Sequence, residues 1–195
     1  MASPDQPRPC LLADLVARVA ERHHLRASVF SQAPADWMAL NVHPANITAG
    51  PPEQLDVAVG PANSLGSPAY RIRPGTAGPV ATHGLDPLAL RLALMRHPYR
   101  DEATPTREDL EAADQVLRHW RALVSHWALS PSKPMCAQYV GDFLDALDDD
   151  LDTPAALRIL SALAADQVIP DGSKFEAFAY ADRFLGLDLA REVGR

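Results

Sequence analysis

Residues 106–127 have the sequence TREDLEAADQVLRHWRALVSHW, and this stretch decides the fold. Thr106, with Asp109 three residues later, approximates a capping box at the start of a helix. We predict a helix of about five turns that buries both tryptophans, with His119 and His126 at contacts between helices. The prediction rests on apolar residues that recur at intervals of three or four, the period of an α-helix with one buried face: Leu110, Ala113, Leu117, Trp120, Val124 and Trp127.

Four further segments after residue 85 have the apolar spacing of helices. Asp86 is a suitable N-cap for the first of them, and Pro87 fits its first helical position. Short connections between about five amphipathic helices indicate an antiparallel bundle. The four segments are residues 86–98, 140–147, 152–165 and 175–184, with a turn predicted at residues 169–173.

The first part of the chain has a different composition, because most of the prolines and glycines lie between residues 34 and 87. Residues 10–24 contain neither and have helical apolar spacing, which predicts a helix. Between turns, short strands are predicted at residues 27–30, 55–59 and 69–73. Residues 74–81 are small and turn-forming, and we interpret them as the connection to the bundle.

The composition limits the classes of protein to which the chain can belong. The chain has 195 residues, of which 47% are hydrophobic, enough to build a core. It has no apolar run long enough to span a membrane, so no membrane association is expected. Its cysteines, Cys10 and Cys136, are far apart in the sequence, and we expect reduced thiols, a cytoplasmic location and no metal site.

Charge is distributed unevenly along the chain. Residues 1–84 contain six Lys and Arg and six Asp and Glu, whereas residues 85–195 contain twelve and nineteen. Nucleic-acid binding draws much of its affinity from clustered cations that neutralise phosphates. An acidic second half therefore favours a protein partner or a homodimer over nucleic acid, with tRNA as the remaining alternative.

Three motifs in the second half resemble the helical domain of cysteinyl-tRNA synthetases and of the related mycothiol cysteine ligases. Residues 85–100 (LDPLALRLALMRHPYR) are similar to the family's Asp-Pro-x-Ala-Leu-Arg helix followed by His-Tyr-Arg, with Pro98 inserted. Residues 110–121 resemble its Leu-Glu-x-Ala to Trp-Arg helix, and residues 146–157 resemble its acidic turn. The resemblance implies a fold that is mainly α. A small, reduced α/β segment, a Rossmann remnant over residues 1–80, precedes the antiparallel helical bundle over residues 85–195.

The chain does not match the motifs by which this family activates cysteine. Residues 60–67 (GPANSLGS) lie where the family has Lys-Met-Ser-Lys-Ser-Leu-Gly-Asn, and both lysines are absent. Asn63, Ser64 and Gly66 are the remnant of that nucleotide loop. Lysines in such a loop stabilise the charge of the triphosphate, which asparagine cannot do. The chain also has no His-x-Gly-His motif, so no catalytic residue is assigned.

The motif residues Arg91, His97, Tyr99 and Arg100 are candidates for contacts with RNA or a partner. The alternative is that they tie the first bundle helix to the preceding segment. The acidic run at residues 148–152 is interpreted as capping the helix that follows it, since a helix N-terminus favours negative charge.

The resemblance and the lost motifs together predict a truncated, cysteinyl-tRNA synthetase-like protein without cysteine-activating activity. It would need no cofactor and would act by binding a partner protein or tRNA. The alternative is a minimal, ATP-dependent ligase of cysteine or another amino acid in a specialised pathway. Such an enzyme would need phosphate-binding groups from elsewhere, such as Arg71 or Arg73.

Overall fold

The computed structural model describes residues 7–25, 30–31, 38–43, 46–47, 57–59, 70–75, 82 and 84–195. The predicted nucleotide-loop remnant lies outside these residues. The described residues form six α-helices: α1 (Pro7–Arg22), α2 (Pro87–Met95), α3 (Arg107–Trp127), α4 (Ala137–Asp148), α5 (Thr153–Ala165) and α6 (Asp171–Leu185). The chain is therefore mainly helical, and the predicted series of five helices after residue 85 is confirmed.

The predicted caps set the starts of three of these helices. The backbone N–H of Asp109 donates to Thr106 Oγ1 at 3.2 Å, and the N–H of Thr106 donates back to Asp109 Oδ2 at 2.8 Å, which completes the capping box of α3. Asp86 accepts from the N–H of Leu88 at 2.9 Å at the start of α2. Asp152 caps α5 in the same way. Helix α6 is different, because it begins at Asp171, inside the predicted turn.

The core of the bundle lies on the apolar stripe of α3. Trp120 and Trp127 are each 3% exposed, as predicted. Both pack edge-on against Phe178 of α6, with ring centroids 5.7 and 5.2 Å apart. Both His119 and His126 are exposed, so the prediction of an interhelical position is wrong for His119, whereas His126 Nε2 lies 3.9 Å from Asp171 Oδ2 at the start of α6. Their positions face away from the stripe, and solvent hydrates an imidazole without the cost of burial.

Helix α1 packs onto the same core as the bundle. It begins three residues before the predicted range and ends two residues earlier than predicted. Leu11, Leu15 and Val19 form its buried face, together with Leu40 from a 3₁₀ turn at Met38–Leu40. The first helix and the bundle therefore share one apolar interior.

Four short strands lie between α1 and α2: β1 (Phe30–Ser31), β2 (Asn46–Ile47), β3 (Val57–Val59) and β4 (Tyr70–Ile72). Strands β1 and β2 form one parallel pair, and β3 and β4 form a second. Strands β3 and β4 lie within the predicted ranges, and Phe30 begins β1 at the end of a third. Among the described residues, no helix is both long and apolar enough to cross a bilayer.

Candidate functional site

A buried arginine joins the bundle to the first part of the chain. Arg91 is the one charged residue in the sequence of α2, and it is 1% exposed. Its Nη2 donates to Asp14 Oδ2 of α1 at 2.7 Å, and its Nε donates to the carbonyl of Leu185 at 2.5 Å. Its Nη1 donates to the carbonyl of Leu40 at 3.0 Å. One guanidinium therefore connects α1, the 3₁₀ turn, α2 and the end of α6.

Asp14 is the centre of the charged contacts in this cluster. Its side chain is 1% exposed, and Arg18 Nε donates to Oδ2 at 2.8 Å. The other oxygen, Oδ1, accepts from the backbone N–H of His43 at 3.0 Å and lies 2.8 Å from His43 Nδ1. Two guanidinium groups and a backbone N–H therefore surround a single carboxylate. We refer to Asp14, Arg18, Asn41, His43 and Arg91 as the Arg91–Asp14 cluster.

The backbone at the end of α6 closes this cluster. Asn41 Nδ2 donates to the carbonyl of Gly186 at 2.9 Å, and Arg18 Nη1 donates to that of Arg183 at 3.0 Å. Gly186 has φ +62°, and a Cβ there would lie 3.0 Å from Arg91 Cζ. Both the left-handed backbone and the close approach of the guanidinium therefore favour glycine.

The electrostatics of the cluster favour its ionised form. Burial by itself would raise the pKa of Asp14, but the attraction of Arg91 and the hydrogen bonds from His43 and Arg18 hold that pKa below its usual value. Burial lowers the pKa of Arg91, and Asp14 opposes that shift. The pair is stable as an ion pair because its remaining hydrogen-bonding groups are also satisfied.

A second cluster fixes the start of α2 against the C-terminal segment. Arg121 of α3 donates from Nη1 to Asp86 Oδ2 at 2.6 Å and from Nη2 to the carbonyl of Leu187 at 2.7 Å. Arg191 Nη1 donates to the same Asp86 oxygen at 2.5 Å. Burial would raise the pKa of Asp86, but the hydrogen bond from Arg121 and the N–H of Leu88 lower it. The N-cap of α2 is therefore also a tertiary contact.

The remaining motif residues contact the acidic run, residues 148–152, at the surface. The hydroxyl of Tyr99 donates to Asp150 Oδ1 at 2.8 Å, and Arg100 pairs with the other oxygen of the same carboxylate. At the end of α1, Arg22 and His23 pair with Asp148. We call this region, with the exposed His97 beside it, the acidic-turn surface.

The acidic run thus has two roles, of which the sequence indicated one. Asp152 caps α5, as predicted, whereas Asp148 and Asp150 pair with residues far away in the sequence. Asp150 and Leu151 both have φ +55°, a strained conformation for residues other than glycine. The turn is held in this shape by its contacts on both sides.

The structure separates the predicted site residues. Arg91 is buried and surrounded by protein groups, so it lies out of reach of RNA or a partner and fits the tying role that we considered as its alternative. His97, Tyr99 and Arg100 lie together, with His97 and Arg100 exposed and Tyr99 half-buried. Asn63, Ser64 and Gly66 lie outside the described residues. Their assignment to a nucleotide loop stays a prediction.

Sequence reasoning missed the partner of Arg91. Asp14 is an acidic residue one turn from Leu11 and next to Leu15, on the buried face of its helix. A lone carboxylate and a lone guanidinium on two apolar helix faces are the signal that predicts such a pair, because charged residues are rarely buried without a partner. Among the described residues, no group of three or more His, Cys, Asp or Glu is placed to hold a metal ion.

These contacts show that the second half of the chain is a helical bundle held to a preceding helix. Similarity to known proteins indicates its class. The chain is homologous to cysteinyl-tRNA synthetase-like ligases, which confirms the predicted resemblance. The relatives in question are mycothiol cysteine ligases, whose full name is L-cysteine:1D-myo-inositol 2-amino-2-deoxy-alpha-D-glucopyranoside ligase. No protein-family model matches the chain.

Three of these ligases show the extent of the similarity. The enzyme of Nakamurella multipartita is 37% identical over 106 residues, which are 54% of this chain and 24% of the relative. That of Streptomyces avermitilis is 44% identical over 84 residues, 43% of this chain and 20% of the relative. That of Thermobifida fusca is 36% identical over 112 residues, 55% and 26% respectively. The matched part is thus about a quarter of the length of these relatives.

The two ion-pair clusters predict acid sensitivity. The pKa values of Asp14 and Asp86 in the folded protein lie below the ordinary value of 3.8. Their stabilisation is therefore complete only at pH values well above 3.8 and is lost as the pH falls through the lowered folded pKa values. Asp182 has the opposite effect on the pH dependence of stability, because burial raises its pKa in the folded protein. We expect the free energy of unfolding to fall as the pH is lowered below about 5.

Urea unfolding followed by circular dichroism, at a series of pH values between about 7 and 3, measures this loss. The matched variant is Asp86→Asn, which keeps the shape of the N-cap but does not titrate. Its stability should fall less steeply than that of the unaltered chain below about pH 4. Parallel profiles for the two proteins would contradict the assignment of this loss to Asp86.

Proposed function

We propose that this chain is a relative of the mycothiol cysteine ligases that does not activate cysteine and acts by binding a partner. The observation that carries the proposal is that the motif residues contact other residues of the same chain. Arg91, Asp86 and Arg121 lie in the parts of the chain that resemble the ligases, and all three make intramolecular ion pairs. What the chain keeps of the family is therefore a scaffold, and its exposed charged residues are available for recognition.

The acidic-turn surface is the binding site that we propose on this scaffold. It presents both signs of charge within a small area, with Arg100 and Asp150 more than half exposed. Their ion pair is solvated and contributes little to stability, so a partner can replace either half of it at low cost. Mixed charge with a net charge of −7 on the whole chain favours a protein over RNA.

The domain organisation belongs to the same proposal. Residues 1–80 are the reduced α/β segment, a Rossmann remnant, and residues 85–195 are the bundle. Two parallel strand pairs support this division, because parallel strands need long crossover connections and are typical of α/β folds. We place the protein in the cytoplasm, in line with its two widely spaced cysteines.

The second candidate function is a minimal ATP-dependent ligase, and the names of the relatives favour it, since each is called a ligase. The lost lysines of residues 60–67 weigh against it. Exchange of labelled pyrophosphate into ATP in the presence of cysteine separates the two candidates. We expect the purified chain to give background exchange in an assay where the Nakamurella multipartita ligase is active. Robust exchange by the purified chain would overturn the main proposal.

Binding is tested by affinity capture from the organism's own extract. We expect Arg100→Glu to lose the captured protein, because it places a second negative charge beside Asp150. Arg107→Glu is the matched control, since Arg107 is equally exposed and pairs with Glu111 on the outside of α3. Loss of the partner in both variants or in neither would rule out the acidic-turn surface.

Two further measurements distinguish the kinds of partner. A gel shift with bulk tRNA that weakens steeply with salt would identify tRNA in place of a protein. Light scattering of the purified chain across a concentration series identifies a homodimer by its mass. In that case Arg100→Glu should shift the equilibrium to the monomer, whereas Arg107→Glu should not.

A further inference from the structure

An arginine in the first turn of α1 is buried with part of its guanidinium unsatisfied. Arg8 is 3% exposed. Its Nη2 donates to the carbonyl of Pro98 at 2.5 Å, but its buried Nη1 has no hydrogen-bond partner among the described residues. Asp101 attracts it only at longer range, and burial lowers the pKa of Arg8. A buried cation of this kind costs several kcal/mol unless an anion compensates it.

Arg8 lines a cavity between α1, the end of α2 and the turn before α5. The cavity has a volume of about 40 Å³. Its walls are mostly aliphatic, with Leu11, Leu12, Leu15, Leu94, Met95 and Leu151 among them. Of the other polar groups that line it, the hydroxyl of Thr153 donates to the carbonyl of Met95 at 2.7 Å and that of Tyr99 donates to Asp150. The guanidinium of Arg91 is paired with Asp14, and His97 lies at the exposed side. Among the described residues that line the cavity, Arg8 is therefore the buried polar group that remains to bind a ligand.

The size and lining of the cavity define the ligand chemistry. One water-sized position takes roughly 10–15 Å³, so the space corresponds to about three or four non-hydrogen atoms. Aliphatic walls favour an apolar group at one end, and the guanidinium favours an anion that accepts its hydrogen bonds at the other. Cysteine does not suit it, because it is larger than this space and carries a charged amino group that aliphatic walls cannot solvate.

We propose that this cavity binds a short aliphatic carboxylate of the size of acetate, which accepts a hydrogen bond from Arg8 Nη1. The cavity shares Tyr99 and His97 with the acidic-turn surface, but carboxylate binding at Arg8 does not depend on the function proposed above. Bound carboxylate neutralises the buried charge of Arg8, whose Nη2 already donates to the carbonyl of Pro98 after α2. Its binding should therefore stabilise the folded chain.

Saturation-transfer NMR tests the site on the unaltered 195-residue chain. Acetate, added as the sodium salt at constant ionic strength, should receive magnetisation from the protein methyl groups. Acetamide, which has the same shape without the charge, should receive at least about tenfold less at equal concentration. Equal transfer to the two molecules, or none to acetate, would overturn the proposal. Because the experiment uses the unaltered chain, misfolding of a variant cannot explain either result.

Two variants on the same helix make the test specific. Arg8→Gln should weaken acetate binding by about tenfold or more, and acetate should no longer raise its melting temperature. Glu21→Gln is the control on the same helix, since Glu21 is exposed and belongs to none of the clusters described above. It should bind acetate as the unaltered chain does. Retained binding in Arg8→Gln, with circular dichroism showing a folded protein, would also refute the site.

Discussion

Asp14→Asn is expected to lower the free energy of unfolding by about 3 to 5 kcal/mol, because it leaves a buried guanidinium without its carboxylate. The side chains of Asp14 and Arg91 are each 1% exposed, so water cannot replace the lost charge. For a chain of this length the loss corresponds to a melting temperature lower by roughly 10 °C. Urea unfolding followed by circular dichroism at neutral pH measures it.

The control for this prediction is Glu21→Gln, which removes an exposed acidic residue from the same helix. Its effect should stay within about 0.5 kcal/mol. The double variant Asp14→Leu with Arg91→Met should not recover the loss, because it also leaves the carbonyls of Leu40 and Leu185 without their donor. A single variant that loses less than about 1 kcal/mol would show that Arg91 is compensated in another way.

Phe178→Ala is expected to cost about 3 to 5 kcal/mol through the cavity that it leaves between α3 and α6. Phe178 is 0% exposed, and its ring contacts the edges of both Trp120 and Trp127. Each aromatic contact adds about 0.5 to 1.5 kcal/mol to the burial itself. Near-ultraviolet circular dichroism should lose part of its aromatic signal as the tryptophans become less constrained.

Phe175→Ala is the matched control on the same helix, since Phe175 is only partly buried against the core. We expect its cost to be less than half of that of Phe178→Ala, because less apolar area is lost and the site is open to solvent. Similar losses for the two variants would contradict the central position of Phe178 in the core.

The local features of this fold could be predicted because the interactions that produce them are local. Thr106 and Asp109 are three residues apart, and Asp86 accepts from an N–H two residues away. The burial of Trp120 and Trp127 follows from their spacing on α3, which places both on one face. The starts of α2, α3 and α5, the bundle and its central residues were therefore determined by the sequence alone.

The candidate site was only partly predictable. The grouping of Tyr99 and Arg100 was visible as a motif, but their partner Asp150 is about fifty residues away. The exposure of His119 and His126 depends on which face of α3 its neighbours leave uncovered. Likewise, α6 begins earlier than predicted because residues 171–174 pack against the bundle, a contact that spacing alone does not encode.

The sequence by itself determined that this chain builds a helical bundle and that it resembles the cysteine ligases over that part. It also predicts that residues 60–67 lack the lysines of the family's nucleotide loop. Only the tertiary structure decided what Arg91 does. Its partner Asp14 is 77 residues away, and no periodicity or spacing links two positions that far apart. The pairing exists because folding brings a carboxylate and a guanidinium together on apolar helix faces, where burying either of them without a partner of opposite charge is unfavourable.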